Sequence, residues 1–104
     1  MKAMHVLFDI SKLPKMSDKE FQKKIEEFVN GVPAFQGLRK KYFILSQEEQ
    51  KLGGFYVMEE GADLDSYFNS AYWAGAVKLL GEPDIKKYDV VGTVLTEDRK
   101  ILAG

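Results

Sequence analysis

The chain has 104 residues, 45% of them hydrophobic, with 15 Lys and Arg against 16 Asp and Glu for a net charge of −1. That length suits a single domain over residues 1–104, and the even charge balance argues against nucleic acid or an anionic membrane surface as partner. There is no cysteine, which removes disulfides, thiolate metal sites and cysteine nucleophiles together.

The first ten residues hold one Lys and a short apolar run interrupted by His5 and Asp9. They show neither the hydrophobic region nor the small-residue cleavage site of a signal peptide. No stretch approaches the roughly 20 apolar residues of a membrane span, so a cytoplasmic protein is the expectation. Met4–Phe8 reads as the first strand, with Met4, Val6 and Phe8 on one face and His5 and Leu7 on the other. Ser17-Asp18-Lys19-Glu20 is a capping box, and Met16 and Phe21 stand at the positions of a hydrophobic staple. Phe21, Ile25, Phe28, Val29 and Val32 then recur at helical spacing. The first helix is predicted over 18–30, with Gly31 just past its end and Pro33 barring continuation.

Gly37–Ser46 reads as a long second strand. Strict alternation puts Leu38, Lys40, Tyr42 and Ile44 on one face and Arg39, Lys41, Phe43 and Leu45 on the other. Neither set is purely polar, so both sides of this strand call for cover. A polar connection over 47–52 leads to a third strand over Gly54–Glu60. Gly53-Gly54 opens no helix, so it is no nucleotide fingerprint; it reads as a place needing positive φ or a close backbone approach. Asp63 is the predicted N-cap of a second helical region, which Asn69-Ser70 splits into two pieces. Gly81 and Pro83 end it. Ile85–Leu95 is the fourth strand, followed by a tail over 96–104 with a short strand around Ile101.

The order β-α-β-β-α-β is that of the ferredoxin-like α+β fold, a four-stranded antiparallel sheet with both helices on one face. The strands carry apolar residues on both faces. The uncovered face therefore needs a partner, and a second copy placed sheet against sheet about a two-fold axis supplies one. A homodimer is expected.

No metal-ligand spacing is present, and the single histidine, His5, leaves a metal or haem site little to draw on. Histidine exchanges protons near neutral pH, so His5 is either a general base lining a pocket or a half-buried residue bonded to backbone. Tyr42, Tyr56, Tyr72, Trp73 and Tyr88 either line an aromatic pocket or fill the core. The pocket is expected between the sheet and the second helical region, near Tyr72 and Trp73. Tyr56 is the strand-borne hydroxyl expected to face it, and His5 the nearest proton acceptor. Both assignments hang on strand register, because a one-residue slip turns a side chain to the other face. The carboxylates Glu59, Glu60, Asp63 and Asp65 read as acidic residues set against a helix dipole.

Gly37-Leu38 with Lys41, then Gly53-Gly54-Phe55-Tyr56-Val57-Met58, Tyr67-Phe68, Gly81-Glu82-Pro83 and Tyr88-Asp89-Val90 together resemble the YdhR-like mono-oxygenases. Those belong to the dimeric α+β-barrel superfamily, with the antibiotic-biosynthesis mono-oxygenases. The likeness covers about 37–90; residues 1–34 agree in layout only. Tyr88 stands where the pattern most often has Phe, and Met58 where it has Trp or a similarly bulky residue. The resemblance implies a homodimer whose two sheets form a barrel, with a pocket in each protomer for a small apolar or aromatic ligand. Some members oxidise aromatic substrates with dioxygen and no cofactor; others degrade haem, and fold alone does not choose between them. Lys41 matches a strand lysine of the pattern, which implies either a pocket charge facing an anionic substrate or a solvated surface lysine. The expected function is cofactor-independent mono-oxygenation of a small phenolic or quinol-like substrate, with a non-catalytic binding module as the competing reading.

Overall fold

The computed structural model of the chain describes residues 1–95 in full and residues 100–103 as backbone. β1 (Lys2–Asp9) lies inside a four-stranded antiparallel sheet of order β2-β3-β1-β4, with β2 spanning Leu38–Ser46, β3 Lys51–Met58 and β4 Asp84–Asp89. This is the ferredoxin-like α+β arrangement. Met4, Val6 and Phe8 alternate onto the face that helices cover, and all three are buried there with Tyr56 and Met58 of β3. Period-two patterning thus decides which side of β1 becomes core.

Helix α1 (Asp18–Gly31) starts where the capping box predicts: the Ser17 hydroxyl accepts the backbone N–H of Glu20 at 3.2 Å. Gly31 is its last helical residue rather than the first beyond it, and Val32 forms the C-cap ahead of Pro33. The split in the second helical region is real. α2 (Leu64–Phe68) is capped by Asp63, whose carboxylate accepts the Ser66 N–H at 3.1 Å. The chain then restarts as α3 (Ala71–Leu80), because Ser70 supplies a fresh N-cap to Trp73 N–H at 3.2 Å. Gly81, at φ 87°, closes α3 by donating to the Val77 carbonyl at 2.7 Å.

Three features differ from the sequence expectation. β3 begins at Lys51, three residues early, so the connection from β2 shrinks to 47–50. The register of β2 against β3 shifts between Leu38 and Lys40, leaving Arg39 as an extra, exposed residue. Such a bulge reverses the alternation on one side of it. Leu38 therefore joins Lys41, Phe43 and Leu45 on the helix-covered face, opposite Met58, Tyr56, Gly54 and Leu52 in turn. Finally, Ile85–Leu95 is not one strand. β4 pairs with β1 only as far as Lys2 opposite Asp89, and Val90 N–H bonds to the Met1 carbonyl at 3.0 Å. The chain leaves the sheet at the exposed Val91 and forms a separate antiparallel pair, β5 (Gly92–Leu95) with β6 (Lys100–Ala103). The short strand expected around Ile101 is present.

Candidate functional site

A cavity lies between the sheet and the helices; the sequence expectation set it against the second helical region alone, and α1 also contributes to its walls. Its floor comes from β1, β2 and β3, including Val6, Phe43 and Tyr56; its walls come from Ile25 and Phe28 of α1 and from Tyr72, Trp73 and Leu80 of α3. The space open to water is about 30 Å³, room for roughly two water molecules. Around it the wall is aromatic. Tyr67 of α2, 1% exposed, is the hub, with ring centroids 5.0 Å from Phe35, 5.5 Å from Tyr56, 5.5 Å from Trp73 and 6.3 Å from Tyr72.

Lys41 enters this aromatic shell from β2. Its position opposite Tyr56 aims it at the helices, and the bulge at Arg39 is what separates it from its solvated neighbour. Arg39 instead pairs with Glu59 at 3.1 Å on the surface. The Lys41 ammonium donates to the hydroxyls of Tyr67 at 3.3 Å and Tyr72 at 3.5 Å. It stands 4.2 Å from the Phe43 ring centroid, 4.7 Å from that of Tyr56 and 5.2 Å from that of Tyr72, within cation–π reach of all three. Among the described residues no carboxylate pairs with it. Burial without a counter-charge lowers its pKa to about 8.

The tyrosines respond in the opposite sense. Burial raises the Tyr56 hydroxyl far above its ordinary range, and neighbouring Tyr67 and Tyr72 push it further. Tyr72 is raised by burial and then by Tyr67. Tyr67 is raised by burial, partly offset by its hydrogen bond to Tyr56. Tyr56 and Tyr67 hydroxyls are hydrogen-bonded to each other, and Tyr72 donates to the Phe28 carbonyl at 3.2 Å, tying α3 to α1. All three remain neutral near pH 7 and act as hydrogen-bond relays rather than as charges.

Gly53 and Gly54 explain themselves by close approach and not by positive φ. A Cβ on Gly53 would lie 1.7 Å from the Val6 carbonyl oxygen, and one on Gly54 would lie 2.7 Å from Lys41 Cε and 2.9 Å from Tyr56 Cε1. Gly54 is thus the gap through which the Lys41 stem passes.

Of the residues expected at the site, Lys41, Tyr56, Tyr72 and Trp73 come together here. Tyr42 and His5 do not. Tyr42 faces the other side of the sheet opposite Phe55 and is 51% exposed. His5 faces that side too, opposite Phe55 and Lys86, and its Nδ1 lies 3.2 Å from the Tyr88 hydroxyl. Its Nε2 is buried with no hydrogen-bond partner among the described residues and stands 4.0 Å from Asp84. His5 is therefore not the cavity's nearest proton acceptor; Lys41 is. Tyr67 and Phe43 were missed. Counting outward from the 47–50 turn puts Lys41 against Tyr56 and Phe43 against Gly54, which is the signal that could have found them. A haem does not fit the helix-side cavity: the chain's one histidine points away from it and the open space is far too small.

A family model described as "Putative mono-oxygenase ydhR" matches residues 6–99, a span that takes in every cavity residue named above. No curated protein matches the chain.

Proposed function

This chain belongs to the ydhR family of mono-oxygenases, and from that premise we propose that it oxygenates a small phenol- or quinol-like substrate, bound as an anion against Lys41, without a cofactor. Lys41 is the observation that carries the reading. An amine with pKa about 8, set among aromatic rings and with no carboxylate partner among the described residues, is poised both to take a proton near neutral pH and to hold the anion that results. A phenol entering the cavity gives its proton to the free amine. The product is a phenolate–ammonium pair whose burial is less costly than that of either charge alone. The Tyr67 hydroxyl, which accepts from Lys41 Nζ, has its own proton free for the oxyanion when Tyr56 is the donor in their shared hydrogen bond.

An electron-rich phenolate or enolate can reduce dioxygen directly, and the protein then supplies a dry pocket and fixed hydrogen bonds. For a ring-flanked methylene the balance is simple. One oxygen atom of dioxygen becomes the new carbonyl oxygen, and the other leaves as water with the two methylene hydrogens. Admission of a ring requires the cavity to widen. α1 is the wall that yields, since none of its residues is fully buried and Tyr72 ties it to α3 through the single bond to the Phe28 carbonyl.

Oxygen uptake tests this with substrates graded from single-ring hydroquinones to three-ring anthrones. Lys41→Met is expected to lose about a hundredfold in rate, the scale of removing one oxyanion stabiliser, and Tyr56→Phe to lose less. A loss in His5→Ala equal to that in Lys41→Met would put the other sheet face into the mechanism. No uptake above the uncatalysed rate with any substrate would leave a small-molecule-binding module as the better reading.

The proposal extends to a homodimer. The sheet face away from the helices carries Leu7, Tyr42, Ile44, Phe55, Val57 and Tyr88, with Tyr42 and Tyr88 exposed, and a second copy is the partner of matching chemistry. Sedimentation is expected to give a dimer at micromolar concentration, with an interface above about 1,200 Å²; a monomer there refutes it.

A further inference from the structure

We propose that Lys41 is also a covalent capture site for small aldehydes, forming a Schiff base inside the cavity. This chemistry needs no dioxygen and stands apart from the oxygenase reading. It rests on three arrangements. The amine ends in a partly open, largely apolar cavity rather than in bulk solvent. Its nitrogen has two tyrosine hydroxyls as hydrogen-bond partners, at 3.3 and 3.5 Å, and among the described residues no acid pairs with it. The absent Cβ at Gly54 leaves its stem room to move.

The step balances without an oxidant or reductant. The nitrogen lone pair of the neutral amine attacks the carbonyl carbon, forming the C–N bond while the C=O π pair moves to oxygen. A proton then passes from nitrogen to that oxygen. Tyr67 relays it, taking one proton and giving one, so its phenol never has to ionise. A second proton, from solvent, lets the C–O bond break as water and leaves the protonated imine. Loss of water is favoured in a cavity that holds only about two water molecules. That same volume favours small ligands, since a two-carbon aldehyde asks less movement of α1 than an aromatic one does.

The lowered basicity of Lys41 supports the geometry. At pH 7.5 a group titrating at about 8 is roughly a quarter free amine, against about a tenth of a percent for an ordinary lysine. The α-amino group of Met1 lies on the surface, so it serves as the internal standard.

The experiment is reductive trapping of the intact protein with acetaldehyde and cyanoborohydride at pH 7.5, followed by peptide mapping. The expected result is ethylation at Met1 and at Lys41, with Lys41 labelled at least about tenfold faster than any other lysine. Naphthaldehyde is expected to label Met1 and to label Lys41 more slowly than acetaldehyde does. Gly54→Ala, which crowds the Lys41 stem, is expected to slow Lys41 labelling and leave Met1 unchanged. Lys41 labelled no faster than the surface lysines, or unlabelled while they react, overturns the proposal. Thermal melts of the parent and Gly54→Ala confirm that each is folded when labelled. Because trapping proceeds in the absence of dioxygen, its failure and a failure of oxygen uptake are separate results.

Discussion

The two faces of the sheet are built from the same strands and bury opposite kinds of chemistry. The helix-covered face holds Lys41, Tyr56, Met4 and Met58, with Tyr56 and Met58 each 2% exposed. The far face holds His5, whose Nδ1 lies against the Tyr88 hydroxyl, and, across β3 on the sheet edge, the exposed Tyr42. Residues adjacent in sequence, such as Lys40 and Lys41 or Phe55 and Tyr56, therefore live in different environments. Solvent stabilises the charge of an exposed residue such as Lys40 on the far face. On the near face it does so less, and Lys41 loses basicity as a result. Side-chain parity, rather than residue type, decides which groups are available for chemistry.

The comparison breaks most severely at Gly53. Alanine there would place a Cβ 1.7 Å from the Val6 carbonyl oxygen, and the clash is with backbone, so β1 and β3 must separate. Gly53→Ala is expected to cost more than about 4 kcal/mol, in the range of exceptional single substitutions, and chemical denaturation would show it as loss of a cooperative transition. A variant that melts within a few degrees of the parent would mean that the β1–β3 register is different.

Lys41 sharpens it next. Its folded pKa of about 8 lies below the ordinary lysine value of 10.5, so between those values the unfolded chain binds more protons than the folded one. Stability therefore rises with pH across pH 8 to 10.5 on account of Lys41. The buried tyrosines have raised values, so above about pH 10 the unfolded chain ionises first and stability falls. The two effects together place a maximum near pH 10 in a series of urea titrations. Lys41→Met is expected to stabilise the protein at pH 7 by about 2 kcal/mol, after discounting for the solvent that still reaches the side chain, and to remove the rise between pH 8 and 10. Destabilisation at pH 7 would show that the tyrosine and cation–π contacts outweigh desolvation.

Tyr67→Phe has a smaller effect. It strands the Tyr56 hydroxyl in the core and leaves Lys41 with Tyr72 alone, a loss of about 1–2 kcal/mol readable in the same titrations. A neutral result would mean that water reaches the vacated position. On the far face, Tyr42→Ser is expected to change unfolding of the monomer by less than about 0.5 kcal/mol while weakening self-association in sedimentation. An equal loss in both measurements would mean that Tyr42 packs within its own protomer.

Much of this was legible in the residues. Ser17, Asp63 and Ser70 mark helix starts through local hydrogen bonds, and Met4, Val6 and Phe8 mark the core side of β1 by alternation. These signals act within four residues, so the chain alone carries them. The order of elements, with its ferredoxin-like consequence, follows from them. What the chain could not show is where alternation is interrupted or exhausted. The bulge at Arg39 moves Leu38 to the other face and divides Lys41 from its neighbour, and only the pairing with β3 reveals it. The fourth strand is defined by its ladder with β1, from Asp84 opposite Leu7 to Asp89 opposite Lys2, between segments more than seventy-five residues apart. Gly54 matters because a lysine stem from another strand crosses it. Each of these depends on which backbone lies alongside, a contact between distant segments, and so the sequence specified the elements and their inner faces while tertiary pairing decided which lysine and which tyrosines meet in the cavity.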